Sequence, residues 1–259
     1  MPFQTQGEIR FYKFGRFDSS ICHAFFTRKG GCSPEPWASL NMGGTVGDDK
    51  DRVRENRARG LASQDRDPAS VYDVWQVHGV DVIIAESPRL PETPFLQADV
   101  ILTNKPGITL MMRFADCVPI MLHDPIHNVV GIAHAGWLGT VFGTVKYAIN
   151  AMQSKFGSKP IDIKAAIGPS IGPDHYEVGP DVVSRVNQSF GDKAGRLIRK
   201  KNDQTFFDLW AANRELLEES GVRQIEVAGL CTACHNDDWY SHRAEKGRTG
   251  RFGAIIALG

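Results

Sequence analysis

A thiol and an imidazole stand at the ends of neighbouring apolar runs in the middle of the chain. Cys117 lies in a polar break between the runs Ile108–Met112 and Val118–Leu122, and His134 follows the run Asn128–Ala133. Apolar runs of this length, bounded by polar residues, predict buried strands. The segment from Cys117 to His134 is long enough for a strand, a turn and a returning strand, which would bring the two side chains close together.

A second His stands in a similar position earlier in the chain. His78 follows the apolar segment Val74–Val77 and precedes Gly79. Two His and one Cys at strand ends form the ligand set of a catalytic Zn²⁺ site, whose fourth position stays open to water. Alternatively, Cys117 is a small buried hydrophobe and the two His are hydrogen-bonded core residues, because free Cys is among the most buried residue types. Spacing alone leaves both interpretations open.

The motifs at these residues resemble the signatures of the YfiH/laccase-domain family. The main matching segments are Gln76–Gly79, Ala115–Cys117, His134–Trp137 and Tyr240–Arg243. Further short matches are Thr27–Ser33, Ser39–Gly43, Glu55–Arg57, Ala98–Asp99, Gly168–Gly172, Tyr176–Val178, Cys231–Thr232 and Thr249–Arg251. Each segment is short, but their order and spacing together are specific, and they extend over nearly the whole chain. The resemblance therefore favours a metal site formed by His78, Cys117 and His134.

The resemblance also implies a fold and an activity. The fold is a single compact α/β domain over residues 1–259, with layered mixed β-sheets flanked by helices, related in shape to the cysteine-dependent catalytic domain of a bacterial toxin. The activity is that of a zinc-dependent purine nucleoside enzyme. Such an enzyme performs phosphorolysis of adenosine, inosine or methylthioadenosine and hydrolytic deamination of adenosine. Its small-molecule partners are a nucleoside and phosphate.

The matching motifs suggest which residues act in such a site. Asp116, Cys117 and His134 are the expected catalytic residues, with Asp116 orienting a ligand His or transferring protons. Cations and a helix amino end are expected to hold phosphate, and aromatic rings to stack on the base. The residues expected to bind substrate are Arg28, Asn41, Trp137, Tyr240 and Arg243. Cu²⁺ can occupy the same site as Zn²⁺, because it outcompetes Zn²⁺ at most nitrogen and sulfur sites.

One position departs from the family pattern. Relatives commonly carry a basic residue after the Trp of the His-Ala-Gly-Trp motif, whereas this chain has Leu138. If that cation contacts phosphate in relatives, we expect phosphate use to be affected here. A hydrolytic reaction would not depend on it.

Two further activities stay open. A laccase-like, copper-dependent polyphenol oxidase needs a His₂Cys site and a separate His-rich cluster. This chain has eight His, of which His23, His175 and His235 stand in scattered contexts, so a full multicopper set is not expected. A cysteine hydrolase, or a factor that edits peptidoglycan precursors, would use Cys117 as nucleophile and His134 as base.

The segment Cys231–His235 matches the C-x-x-C-H pattern of covalent haem attachment. That chemistry follows export, and no export signal is evident. A C-x-x-C outside a strand-to-helix context is weak evidence for a redox dithiol. A zinc knuckle needs a second Cys pair, and Cys22 with Cys32 has the wrong spacing. We therefore expect Cys231 to line the pocket or the core.

The charge and hydropathy of the chain limit the classes of macromolecular partner that we expect. Thirty basic and thirty acidic residues cancel, and like charges form no block of five, so neither a nucleic acid nor a membrane surface is an expected partner. The chain has no apolar segment long enough to span a bilayer, and its first residues lack the apolar core of a signal peptide. We expect a cytoplasmic protein, in which five Cys favour thiol or metal chemistry over disulfides. The sequence leaves the oligomeric state open.

Apolar periodicity predicts the remaining elements. Strands are expected over residues 8–17, 22–27, 71–77, 80–85, 161–167, 223–229 and 253–258. Helices are expected over residues 49–63, 138–156, 179–190 and 208–220. Because strands alternate with helices, the pattern by itself is typical of an α/β domain.

Overall fold

The computed structural model describes residues 2–259 of the chain. In this range the strands are β1 (Phe3–Gln6), β2 (Ile9–Tyr12), β3 (Ile21–Phe26), β4 (Val71–Asp73), β5 (Val82–Ile84), β6 (Val100–Thr103), β7 (Thr109–Phe114), β8 (Val118–Asp124), β9 (Val129–Ala135), β10 (Lys164–Ile167), β11 (Ile198–Lys201), β12 (Gln204–Phe207), β13 (Gln224–Val227) and β14 (Phe252–Leu258). The helices are α1 (Lys50–Ala62), α2 (Trp137–Phe142), α3 (Thr144–Phe156), α4 (Pro180–Phe190), α5 (Ala194–Leu197) and α6 (Leu209–Glu219).

The strands build two mixed sheets and a small hairpin. The first sheet has the strand order β1-β2-β3-β14-β7-β4, and the second has the order β13-β10-β8-β9-β6-β5. Neighbouring strands are antiparallel except in three parallel pairs, which are β4 with β7, β5 with β6 and β10 with β13. The hairpin of β11 and β12 stands apart from both sheets. This arrangement confirms the expected α/β fold of layered mixed sheets.

Both faces of both sheets are covered. Leu110 and Ile256 of the first sheet pack against Met121 and Ile132 of the second, so the main core lies between the sheets. Helices α2, α3, α4 and α6 cover the outer face of the second sheet. Helix α1 covers the outer face of the first sheet through Leu61. Because strands buried on both sides need apolar residues at successive positions, the central strands have continuous apolar runs instead of an alternating pattern.

The predicted strand, turn and returning strand are the antiparallel hairpin of β8 and β9. All residues of both strands are buried, and Pro119 pairs with His134 across the hairpin. In the turn, the Asp124 carboxylate accepts the N–H groups of Ile126 and His127, as an Asx turn does. The hairpin therefore places Cys117, just before β8, beside the end of β9.

The single helix predicted over 138–156 is two helices. Gly143 has a φ of 80°, and its N–H donates to carbonyls of the last turn of α2. A left-handed residue ends one helix, and Gly adopts this conformation without steric cost. The chain therefore changes direction at Gly143 before α3 begins.

Several predicted strands begin or end at other residues in the structure. The strand expected over 71–77 ends at Asp73, and that over 161–167 begins at Lys164, after a short 3₁₀ turn. The strand expected over 8–17 is replaced by the hairpin of β1 and β2, which turns at Gly7. Strand β6, the pair β11 and β12 and helix α5 were not predicted. Among the helices of residues 2–259, none has the length and apolarity needed to cross a bilayer.

Asn56 on α1 anchors the loop that precedes this helix. Its amide N–H₂ donates to the Ser33 hydroxyl and to the carbonyls of Ser39 and Asn41, and its oxygen accepts the N–H of Cys32. The Asn56 side chain is fully buried. One amide therefore satisfies several buried polar groups of a segment that has no regular structure.

We expect Asn56→Ala to lower the free energy of unfolding by about 2–4 kcal/mol, because it leaves buried backbone groups without partners. Urea denaturation followed by circular dichroism measures this change. The matched control is Glu55→Ala, one position earlier on the exposed side of α1 and paired there with Arg59, which we expect to cost less than about 0.5 kcal/mol. Equal stabilities of the two variants would contradict an anchoring role for Asn56.

Candidate active site

Three side chains with nitrogen and sulfur donors meet where the two sheets adjoin. The ligand atoms of His78, Cys117 and His134 all lie within 4.8 Å of one another. The Cys117 Sγ is 3.7 Å from the His78 Nε2, and the rings of His78 and His134 meet edge to face at a centroid distance of 4.8 Å. His134 is buried, Cys117 is half-buried and His78 is exposed. The cluster is therefore accessible from one side.

Local backbone geometry presents each of these side chains. Asp116 has a φ of 80° and forms the tight turn from β7 to β8 that presents Cys117. His78 has a φ of 62° in the loop between β4 and β5. His134 is the penultimate residue of β9. Positive φ values at residues other than Gly are uncommon, although Asp and His are enriched among them.

Gly136 allows the cluster to close. A Cβ atom at this position would lie 2.9 Å from both the Cys117 Sγ and the His78 Cδ2. Any larger residue would push these side chains apart. The Gly of the His134–Trp137 motif is therefore required by the packing of the cluster itself.

Asp99 organises two of the three donors. Its Oδ1 accepts the His134 Nδ1–H at 2.7 Å and the backbone N–H of His78 at 3.0 Å. Its Oδ2 accepts the backbone N–H groups of Val77 and Gly79. Because a carboxylate only accepts hydrogen bonds, His134 carries its proton on Nδ1, and its Nε2 is left as a ligand atom. Sequence reasoning gave Asp99 no role, although it lies in one of the short matching segments.

Asp116 has different partners from those expected. Its carboxylate accepts the Thr232 hydroxyl at 2.7 Å and the backbone N–H of Arg243 at 2.7 Å. The residue that orients a ligand His is Asp99, whereas Asp116 joins the Cys117 turn to the C-terminal part of the chain. Asp116 also lines the cavity described below, which leaves it accessible to a substrate.

The charges of the cluster stabilise one another. Burial raises the pKa of the Cys117 thiol, but the charge of His134 and the hydrogen bonds from His134 and His78 outweigh burial, and the pKa falls to about 6. Burial lowers the pKa of His134, but the Cys117 charge and Asp99 raise it to about 9. Burial raises the pKa of Asp99, yet its hydrogen bonds hold that pKa below the usual value. These opposite pKa shifts favour, in the metal-free protein, a thiolate at Cys117 beside an imidazolium at His134.

The cluster forms part of the wall of a cavity of about 940 Å³. Its lining is strongly cationic, since Asp116 is the only acidic residue among the described residues that line it. The basic lining residues are Lys50, Arg54, Arg57, Arg113, Arg243 and Arg251. A chain without net charge thus has a local site suited to an anion.

Two of these Arg side chains, Arg243 and Arg251, have N–H groups that no other group of the described residues accepts. Arg251 binds the carbonyls of Thr249 and Gly250 through Nη1, and Arg243 binds the Glu177 carbonyl, also through Nη1. Within residues 2–259, Nε and Nη2 of both side chains have no hydrogen-bond partner. A planar pair of N–H donors binds two oxygens of a phosphate or carboxylate at once.

Arg57 and Arg113 are more constrained. The Arg113 guanidinium lies 2.6 Å from Asp73, and Arg57 lies 3.7 Å from the same carboxylate. Both still line the cavity. Asp73 therefore holds two cations at the wall while it neutralises part of their charge.

The residues predicted to bind substrate are only partly brought together. Arg243 lines the cavity, whereas Arg28 and Tyr240 are outside its lining. The Arg28 guanidinium lies 4.6 Å from the Tyr240 ring centre and pairs with Glu245 in a smaller cleft. Tyr240 is fully buried, and its hydroxyl donates to the Trp37 carbonyl. These two residues support each other at a distance from the donor cluster.

Asn41 and Trp137 also lie outside the cavity lining. Asn41 is fully buried, and its Oδ1 accepts the backbone N–H of Arg251, so it supports a residue of the cavity. Trp137 begins α2 and packs on the core beneath this helix, as does Leu138. The residue that replaces the family's usual cation is thus placed on the core.

Several lining residues were not assigned to the site from the sequence, namely Gln76, Trp75, Arg57, Arg113, Tyr176 and Arg251. The short matching segments contain four of them, Gln76, Arg57, Tyr176 and Arg251. Their position in these segments could have indicated from the sequence that they belong to the site. Trp75 and Arg113 have no such signal. They reach the cavity only because β4 and β7 are neighbours in the first sheet.

Comparison with known proteins identifies the family of this chain. A family model described as multi-copper polyphenol oxidoreductase laccase matches residues 22–259. A purine nucleoside phosphorylase of Deinococcus radiodurans is 39% identical, with 92% of this chain and 90% of the relative covered. The purine nucleoside phosphorylase YfiH of Escherichia coli is 34% identical, with 90% and 91% covered.

A solved structure agrees equally well. The crystal structure of YlmD from Geobacillus stearothermophilus has a TM-score of 0.92 and 32% identity to this chain, and the match covers 99% of this chain and 98% of the other. The family model covers most of the chain, and the fold is shared along its full length. The chain therefore belongs to the YfiH/laccase-domain family.

Proposed function

We propose that this chain is a zinc-dependent purine nucleoside phosphorylase that also deaminates adenosine by hydrolysis. The observation that carries the proposal is the joint position of three nitrogen and sulfur donors and several Arg side chains in the wall of one cavity. The relatives are purine nucleoside phosphorylases, and they suggest the substrate class, a purine nucleoside.

The donor set suits Zn²⁺. His78, Cys117 and His134 would provide three ligands, and the accessible side of the cluster corresponds to the open fourth position of a catalytic site. When bound, the ion would supply Lewis acidity and lower the pKa of a water that it holds. Asp99 fixes the proton of His134 on Nδ1 and the backbone of His78, so it orients the His134 imidazole for a metal and holds the loop that carries His78.

Phosphorolysis needs a site for phosphate next to the nucleoside. A phosphate oxygen bonds to C1′ of the ribose while the bond from C1′ to the purine nitrogen breaks, and positive charge develops on the ribose. The unpaired donors of Arg251 and Arg243 would hold the phosphate, and fixed cations at Arg57 and Arg113 add to the attraction. Asp116 lines the same cavity, and its carboxylate would accept a proton or a hydrogen bond from a ribose hydroxyl.

Aromatic side chains in the lining suit a purine. Trp75 and Phe95 are 49% and 41% exposed although they are large and apolar, and both face the cavity together with Tyr176. A flat ring that stacks on such side chains removes apolar surface from water. In our proposal Trp75, Phe95 and Tyr176 take the stacking role that the sequence assigned to Trp137 and Tyr240.

Deamination of adenosine uses the same metal site without phosphate. Water attacks C6 of the purine, ammonia leaves and inosine remains. The observation that favours this second reaction is the three-ligand composition of the cluster, which leaves one position for water. Because this reaction does not use the phosphate-binding cations, Leu138 has no bearing on it.

A multicopper oxidase is a less suitable description of this donor set. The two groups of metal-ligand side chains found in residues 2–259 contain three His in total. A blue-copper centre and a separate His-rich cluster together need more. Copper in place of zinc in the first group is compatible with the ligands, and metal analysis of the purified protein distinguishes the two ions.

Zinc-loaded protein should convert adenosine to inosine without phosphate, and to adenine and ribose 1-phosphate when phosphate is added. Chromatography of the products measures both reactions. We expect Cys117→Ala to lower both rates by more than about 100-fold, because a metal ligand is lost. The control Cys32→Ser removes an exposed thiol outside the cavity lining and should retain both activities. Turnover by Cys117→Ala at a rate near that of the wild type would contradict the metal site, and the absence of any turnover by the wild type would contradict the proposed function.

Arg251→Met should raise the KM for phosphate by about tenfold or more, because a charged two-donor contact is lost. Steady-state kinetics of inosine phosphorolysis at varied phosphate measures this change. Arg248→Met is the matched control, since Arg248 is an exposed cation three positions earlier and outside the cavity lining. Phosphate-independent deamination should change much less in Arg251→Met than phosphorolysis does. An equal loss of both reactions would show that Arg251 supports the fold of the site instead of binding phosphate.

In metal-free protein, alkylation of Cys117 by iodoacetamide should reach half its maximal rate near pH 6. The thiolate is the reactive form, so the rate rises as the pH passes upward through the pKa. Mass spectrometry of the Cys117 peptide measures the rate, and zinc-loaded protein should be protected. His134→Ala should move the midpoint up toward or beyond about 8.5, the ordinary value for a thiol. An unchanged midpoint in His134→Ala would contradict the thiolate–imidazolium pair.

Retained hydrolytic activity in this alkylatable, metal-free protein would support the alternative of a cysteine hydrolase. Cys117 would then act as a nucleophile with His134 as its base. The same preparation thus separates the two roles of the thiolate, as a metal ligand and as a nucleophile.

A further inference from the structure

We propose that Asp174, His175, Cys231 and Cys234 form a second metal site, which binds Zn²⁺ in a structural role. The four side chains each offer one ligand atom, and these atoms lie within 4.8 Å of one another. None of the four belongs to the cluster of His78, Cys117 and His134. The proposal does not depend on the activity of the enzyme.

Four of the six distances between donor atoms are close to the edges of a zinc tetrahedron. Zn–S bonds of about 2.3 Å and Zn–N bonds of about 2.0–2.1 Å at tetrahedral angles place the ligand atoms about 3.3–3.8 Å apart. The Cys234 Sγ lies 3.4 Å from the His175 Nδ1 and 3.6 Å from the Asp174 Oδ2. The Cys231 Sγ lies 3.8 Å from the His175 Nδ1, and the Asp174 Oδ2 lies 3.2 Å from the same nitrogen.

The backbone holds the two ligand segments side by side. Ser170 and Cys231 form a parallel bridge, and the Gly172 N–H donates to the Cys231 Sγ at 3.2 Å. A Cβ atom at Gly172 would lie 3.0 Å from the Cys231 Cβ, so a residue without a side chain allows this approach. An N–H group that donates to sulfur favours the thiolate, which is the form that binds a metal.

The composition of the cluster favours a cation over other roles. Two thiols and a carboxylate at this spacing repel one another once ionised, and a divalent cation removes this repulsion. Four protein ligands complete a tetrahedron, which is typical of a structural zinc site. The second pair of ligands that a zinc knuckle needs is therefore supplied by the adjacent Asp174 and His175 instead of by another Cys pair.

A metal at this position would hold in place two segments that adjoin one wall of the active-site cavity. Tyr176, which lines the cavity, follows His175 directly. Thr232, which lies between the two Cys ligands, donates to the Asp116 carboxylate. Arg243 of the cavity wall binds the Glu177 carbonyl just after the first ligand segment. The ion would join two segments that are far apart in the sequence and whose neighbours contact the substrate cavity.

Zinc analysis by mass spectrometry tests the proposal. Wild-type protein loaded with Zn²⁺ and then desalted should retain two ions per chain. Cys234→Ser and Cys117→Ala should each retain one, and the double variant should retain none. Cys32→Ser, which lies outside both clusters, should retain two. The proposal would be overturned if the wild type retained no ion, or if Cys234→Ser retained as many ions as the wild type. One ion in the wild type that is lost in Cys234→Ser and kept in Cys117→Ala would contradict the first site alone.

Thermal unfolding provides a second measurement. Because a ligand that binds only the native state raises the melting temperature, Zn²⁺ should stabilise Cys117→Ala through the remaining site but should not stabilise the double variant. Circular dichroism checks that each variant is folded. Since Cys234 is exposed, its replacement by Ser removes a ligand and no core packing.

Titration of free thiols addresses the remaining alternative. Metal-free protein prepared without reductant should show five reactive thiols after denaturation, because all five Cys are free. Three thiols, with a disulfide between Cys231 and Cys234 located by peptide mapping, would overturn the zinc site in favour of a redox pair.

Discussion

The candidate active site depends on one buried carboxylate. Asp99 lies immediately before β6 and accepts hydrogen bonds from the ring of His134 and from the backbone N–H groups of the His78 loop. A fully buried charge is stable only when it is paired and hydrogen-bonded, and here the loop and the imidazole satisfy it together. The same contacts orient the ring of His134 and hold the backbone of His78, two of the three proposed metal ligands. His78 lies in a loop and not in a strand. Its backbone position therefore depends on the hydrogen bonds that this loop donates to the Asp99 carboxylate.

The electrostatics of the cavity are local and differ from those of the whole chain. The chain is neutral overall, yet Asp116 is the only acid among the described residues of a lining that contains five Arg side chains. Asp73 holds Arg57 and Arg113 at the wall, and backbone carbonyls hold Arg243 and Arg251 there, so these four cations are in place before a substrate arrives. The thiolate of Cys117 and the imidazolium of His134 stabilise each other beside them. A site of this kind attracts an anion while it keeps soft ligands available for a metal.

Asp116 connects the two groups of metal-ligand side chains. It precedes Cys117 of the first group, and its carboxylate accepts the hydroxyl of Thr232, which lies between the Cys of the second. The first group is accessible from the cavity, which suits a reaction, while the second has four protein ligands, which suits a structural role. Under both proposals, the turn that presents Cys117 is held in place by segments that the second ion would join.

The sequence by itself determined the local elements and the chemical character of the site. Continuous apolar runs mark strands buried on both faces, so the hairpin from Cys117 to His134 was predictable, and the short motifs around these residues indicated the family and a metal-ligand set. Helix ends were less predictable, because the break at Gly143 depends on a single left-handed residue. Periodicity carries no information about contacts between segments that are distant in the chain.

Only the tertiary structure decided which residues meet. Three arrangements join segments that are distant in the sequence: the hydrogen bond of Asp99 with His134, the presence of Arg243 and Arg251 in one cavity wall, and the contact of Cys231 with His175. All three depend on the order of strands in the two sheets and on the loops that leave them. Arg28 and Tyr240 stand in motifs similar to those of the site, yet buried contacts with each other and with Trp37 hold them elsewhere. Residue type and spacing thus determined the available chemistry, whereas packing between distant segments determined which side chains share one cavity.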